Sequence, residues 1–201
     1  MKKLTLAVSI AIVIALLASV RWSTTATDAP PADVLQGTDS TLAVALSIGD
    51  MTDQADVIAI GNAVETRSMW VDRSLVTLVT VAVSESLKGT PGDTLTVVVP
   101  GGVDTNRKIP IAMTYPGAPR LTPGENVFLF LNVDSEVGGG YNVTGFSQGK
   151  FSIVEGDDGQ PAVTRDLTKL SLKDNNGVRR GTANMTPLAS LKSQVTSRVN
   201  K

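Results

Sequence analysis

The apolar pattern changes character several times along the chain. Leu4 to Val20 is an unbroken, mostly aliphatic run behind Lys2 and Lys3, the layout of a charged n-region and an apolar h-region. Thr24-Thr25-Ala26 then offers small residues for cleavage, which predicts a signal peptide over 1–26 and a mature chain starting near Thr27. The run is 17 residues long, at the short limit of the roughly 17–25 that span a bilayer, so an uncleaved anchor is the alternative. Either way the rest of the chain is expected outside the cytoplasm, periplasmic or secreted, with membrane contact only through that segment. Residues 27–40 carry two prolines and no periodicity and read as a linker.

Residues 41–55 read as one or two short helices, with Ser47 and Asp50 spaced as a capping pair. From Val57 the period shortens to two. Strands are predicted over 57–65, 74–87, 94–99, 126–133, 141–146, 150–155 and 161–165. Stretch 74–87 is long enough to bend or serve two sheets. Asn126 to Val133 is apolar on both faces and should be a central, doubly buried strand. Lys88 to Asp93, Asp134 to Gly140 and Gly156 to Gln160 are turns. About seven strands with frequent turns make a mainly β domain over 41–167, a small β-barrel or sandwich. Residues 168–201 read as a basic C-terminal tail with an amphipathic helix over 187–199. Thr186 would be its N-cap, Pro187 its first residue, and Leu188, Leu191, Val195 and Val199 its apolar stripe.

Composition narrows the chemistry. The chain has no His and no Cys. That removes the Ser-His-Asp triad, Cys-His pairs, the usual zinc sites and a disulfide framework. Charge is segregated: residues 27–164 hold 17 acidic and 7 basic side chains, whereas residues 165–201 hold 2 acidic and 8 basic. A basic tail resting on an acidic domain is the plain reading, and a tail that binds anionic surfaces the sharper one. Nucleic acid is not expected, because no basic patch interleaves with aromatics.

Three motifs invite chemistry. Gly145-Phe146-Ser147-Gln148-Gly149 fits G-x-S-x-G, but strand signals flank it on both sides and no His can serve as base, so glycines relieving backbone crowding explain it. Asp157-Asp158 between glycines suits a hairpin turn better than a calcium site. Glu65, Glu85 and Glu125 are available for carboxylate catalysis, which needs two acids brought within about 5–10 Å. The expectation is no catalytic residue, no cofactor and no metal. Residues 103–125, with four prolines, are the longest irregular stretch of the domain. Arg107, Lys108, Met113, Tyr115 and Arg120 within it are the candidate binding residues, since loops on a rigid scaffold collect binding groups.

One ordered run of motifs carries a resemblance. Ala55-Asp56-Val57-Ile58-Ala59-Ile60-Gly61-Asn62-Ala63-Val64 precedes a long strand ending Val83-Ser84-Glu85-Ser86-Leu87-Lys88-Gly89. Then come Val97-Val98-Val99-Pro100-Gly101-Gly102, Leu121-Thr122-Pro123-Gly124-Glu125-Asn126-Val127-Phe128-Leu129-Phe130-Leu131, and Gln148-Gly149-Lys150-Phe151. Over about residues 55–155 this resembles a group of secreted, largely uncharacterised bacterial proteins. More distantly it is similar to the netrin/TIMP-type OB-fold module, which orders an "A-D-x-V-x-x-G-x-V" strand, a "K-G" turn and a "G-E-x-Y-L-x-F" strand in the same way. The resemblance implies an OB-like barrel and a protein-binding role, with inhibition of an extracellular metalloprotease as one family activity. The inhibitory mechanism itself needs an N-terminal Cys, which this chain lacks. The expected function is an exported, non-catalytic β-domain that binds a protein partner. The alternatives are a cell-envelope or carbohydrate-binding module and a carboxylate-dependent hydrolase.

Overall fold

The computed structural model describes residues 40–201. The expected signal segment and almost all of the expected linker lie outside the described residues. Among the described residues no helix is long and apolar enough to cross a membrane.

The fold is mainly β. Its elements are β1 (Thr41–Val44), α1 (Ile48–Gln54), β2 (Val57–Val71), β3 (Ser74–Lys88), β4 (Thr94–Pro100), β5 (Gly102–Asp104) and β6 (Ile111–Met113). They continue with β7 (Asn126–Val133), β8 (Gly140–Val143), β9 (Lys150–Glu155), β10 (Pro161–Asp166), β11 (Leu170–Asp174), β12 (Gly177–Arg180), β13 (Ala183–Pro187) and α2 (Leu188–Val199). The largest sheet runs β13-β10-β9-β7-β2-β3-β4-β8, and β8 also pairs with β7. All its pairings are antiparallel except β4 with β8. One edge of β7 faces β2. The other is divided: Val127 to Leu129 pair with β9, and Leu131 to Val133 pair with β8.

Strand β7 is buried on both faces because its residues alternate between two cores. Val127, Leu129 and Leu131 join Val57, Ala59, Ala63, Val79, Val81, Leu95, Val97 and Val143. Phe128 and Phe130 join Met51, Ile58, Phe151, Val163, Leu191 and Val195, where both helices cover the sheet. Three phenylalanine rings, Phe128, Phe130 and Phe151, meet there with centroids 5.4 to 6.4 Å apart, a separation at which tilted and edge-on contacts are favourable. The capping pair forms as expected: Ser47 Oγ accepts from Asp50 N, and the Asp50 carboxylate accepts from Ser47 N.

Several elements differ from the sequence reading. Among the described residues there are thirteen strands rather than about seven. Strand β2 runs to Val71 rather than ending at 65, because Thr66 to Val71 pair with Ser74 to Val79 across a two-residue loop, and register shifts bend the long β2–β3 hairpin. Residues 41–44 form a strand, not a helix, paired parallel to β11. The irregular stretch 103–125 contains the small β5–β6 hairpin. The expected tail forms β11, β12 and β13 before the helix; Leu170 and Leu172 are buried with Leu167 in a third cluster, which ties that stretch to the domain. Helix α2 starts one residue later than expected. Pro187 is its N-cap with no side-chain cap bond, because Thr186 is held in β13 opposite Val163.

Candidate functional site

Phe130 marks the point where β8 and β9 part from β7. Its carbonyl accepts from Thr144 N and its amide donates to Gly149 O, both at 2.9 Å, so residues 144–149 close against a single residue of the central strand. A Cβ on Gly149 would stand 2.9 Å from both Phe130 O and Thr144 O, an approach only glycine permits. Gln148 is fully buried and braces the segment. Its Oε1 accepts from Leu46 N at 2.9 Å, and its Nε2 donates to Val44 O and Gly145 O at 2.8 and 3.1 Å. Ser147, between them, is 8% exposed, and its Oγ has no hydrogen-bond partner among the described residues.

The strands that follow bring charge to the same place. Lys150, at the start of β9, donates to Glu125 Oε1 and Ser152 Oγ, and Ser152 Oγ donates to Glu125. Burial works against the Glu125 charge, but hydrogen bonds from Lys150, Ser152 and the Thr122 amide outweigh it and hold the carboxyl below its ordinary value. Arg165, on β10, lays its guanidinium over the Phe151 ring at 4.8 Å and donates through Nη1 to Gln148 O at 3.0 Å. Its Nε is buried without a partner. Burial, with the nearby Arg179 charge, depresses the Arg165 pKa.

The opposite wall is residues 114–120. Gly117 lies at φ +73°, and a Cβ there would meet Leu170 Cδ2 at 2.6 Å and Lys169 O at 2.9 Å. Thr41 Oγ1 donates to Pro116 O at 2.6 Å, and Pro119 and Leu121 are buried. This part of the irregular stretch is therefore fixed to the domain rather than projecting from it. Between the walls lies a cleft of about 590 Å³, lined by Tyr115, Pro116, Pro119 and Arg120 on one side and by Ser147, Lys150, Ser152, Thr164, Arg165, Asp166 and Lys169 on the other. Among the described residues Arg120, Arg165 and Lys169 have no ion-pair partner within 4.0 Å, whereas Lys150 is paired with Glu125.

The five residues singled out from sequence are distributed over different features. Tyr115 and Arg120 line the cleft. Met113 lines an adjoining hollow of about 360 Å³ that also includes Tyr115 and Arg120. Arg107 and Lys108 lie outside both, between β5 and β6. Arg107 donates to Asp104 at 2.9 Å and sits 5.1 Å from the centroid of the Trp70 ring; Trp70 Nε1 donates to the same carboxylate at 2.8 Å. These bonds hold the Asp104 carboxyl below its usual range. Sequence reasoning placed Arg165 and Lys169 only within the basic stretch 165–201, not among the individual candidates, and gave Ser147 and Lys150 no binding role. The motif around Ser147 was visible, but the approach of Arg165 to Gln148 depends on the β9–β10 register.

No side-chain base hydrogen-bonds Ser147 Oγ, whereas Ser152 Oγ accepts from Lys150 and donates to Glu125, and Lys150 is held by Glu125. Glu65, Glu85 and Glu125 do not line the cleft; Glu85 pairs with Lys192 and Glu125 with Lys150. Among the described residues no group of three or more acidic side chains could hold a metal. No protein-family model, curated protein or solved structure matches this chain.

Proposed function

We propose that this chain is an exported, non-catalytic module that binds a protein partner through the cleft between residues 114–120 and strands β9 and β10. The observation that carries the reading is the cleft itself: two walls fixed to the domain present an aromatic ring, prolines and cations without an ion-pair partner, while Ser147 has no base and Ser152 is engaged by Lys150 and Glu125. Export is inferred from the charged and apolar start of the sequence. An extracellular protease is the partner class that the sequence resemblance implies.

The scaffold is an OB-like barrel in this reading. Three features support it. The pairings β7-β2-β3-β4-β8-β7 form a circuit. The order β7-β2-β3-β4 places a fourth strand beside the first of three hairpin-linked strands, which is a Greek key. Five such strands around one apolar cluster are what an OB-like barrel requires.

The test is co-purification from the envelope and culture medium of an exporting host, comparing the unaltered chain with Tyr115→Ala and Arg120→Ala. A partner retained by the unaltered chain and lost by both variants is expected. Recovery of no partner, or equal recovery by all three proteins, would overturn the reading.

A further inference from the structure

Resting on the proposed partner-binding role, we infer that the cleft receives an acidic peptide segment of the partner, a carboxylate being held by Arg165 and Lys169 with Arg120 on the facing wall. The expected mature chain carries more acid than base. The cleft lining sets Arg120, Lys150, Arg165 and Lys169 against Asp166 alone, a local reversal of that balance. The lining holds one carboxylate, Asp166, and it already accepts from Thr168 N and Thr168 Oγ1 at 2.8 and 2.7 Å.

The donors are also prepared in advance. Arg165 is fixed by Phe151 and by Gln148 O, which takes only one of its five N–H groups. Its Nε and Ser147 Oγ are shielded from solvent, so contact with a bound carboxylate falls to the remaining terminal N–H groups of the guanidinium. A guanidinium held flat is suited to two-point contact with a carboxylate. The chemistry of the facing wall selects peptide over a polyphosphate. Tyr115, Pro116 and Pro119 offer apolar contact that residues flanking an acidic side chain can use and that a chain of phosphates cannot.

The experiment uses the chain purified from an exporting host and two fluorescent probes, hexaglutamate and hexaglutamine peptides, read by anisotropy, with tripolyphosphate as competitor. The glutamate peptide should bind at least about tenfold more tightly than the glutamine peptide. That preference should fall severalfold in Lys169→Gln and in Arg120→Gln. Both side chains are exposed, so these variants fold even if Arg165→Gln does not. Equal binding of the two peptides, absence of binding, or undiminished preference in the variants would overturn the inference. So would displacement of the glutamate peptide by tripolyphosphate at lower concentration than by unlabelled hexaglutamate, which would make the cleft a phosphate site. The co-purification experiment separates this failure from that of the module reading. A partner lost by Tyr115→Ala and Arg120→Ala but kept by Lys169→Gln leaves the module standing and removes the acidic ligand.

Discussion

At the scale of single residues, the short segment 145–149 decides how the central strand divides its edge between two neighbours. Gly149 has no room for a methyl group against Phe130 O and Thr144 O. Gly149→Ala should therefore lower stability by about 1–3 kcal/mol through overpacking, measured as a fall in the urea midpoint at constant slope. Glu125 supplies a pH dependence with a definite sign. Its folded pKa lies below the ordinary 4.5, so its stabilisation is complete above that value and is lost as pH falls through the lower folded value. Urea denaturation at about pH 5 and about pH 3 should show a smaller loss of stability for Glu125→Gln than for the unaltered chain. An equal loss would mean that the Lys150–Glu125–Ser152 cluster contributes nothing to acid sensitivity.

At the scale of elements, helix α2 separates the worth of packing from the worth of surface charge. Leu191 and Val195 are buried against Phe128, Phe130 and Val163, while Lys192–Glu85 and Arg198–Asp53 are exposed pairs. Leu191→Ala should cost about 2–5 kcal/mol, and Lys192→Ala less than about 1 kcal/mol, both read from thermal or urea unfolding. Elements whose large apolar residues point inward were legible in the sequence: β7, the β9–β10 hairpin, the capped α1 and the α2 stripe of Leu188, Leu191 and Val195, from which the exposed Val199 drops out. Strand β1 was not, because it reverses the rule. Leu42 and Val44 face outward, 62% and 67% exposed, while Ala43 and Ala45 pack inward. Strands β11 and β12 were hidden by Lys173, Arg179 and Arg180 in their alternation, although Asn175-Asn176-Gly177 between them is a hairpin signal. Half of the candidate site was visible for a similar reason. Tyr115 and Arg120 sit on a stretch that looks irregular, whereas Arg165 looks like one polar position of an edge strand until the strand pairing places it beside Gln148.

At the scale of the whole molecule, the segregation of charge along the sequence has two destinations. Part of the basic C-terminal stretch neutralises the acidic domain through Lys192–Glu85 and Arg198–Asp53. Another part, Arg165 and Lys169, reaches the cleft without an ion-pair partner within 4.0 Å. Removing Lys192 and Arg198 should leave partner retention unchanged, because neither lines the cleft, while raising salt from about 0.05 to about 0.5 M should weaken it by screening the exposed cations. Retention that depended on Lys192 and Arg198 instead would favour a tail that holds anionic envelope material.

The claim on which the rest depends is that a partner occupies the cleft between residues 114–120 and strands β9 and β10. Amide hydrogen exchange on the protein with and without its co-purified partner tests this most directly. Slowed exchange is expected in residues 114–120 and 147–152 and at Lys169, with β12 and α2 unchanged. Protection confined to β12 or α2, with the cleft exchanging as in the free protein, would contradict it.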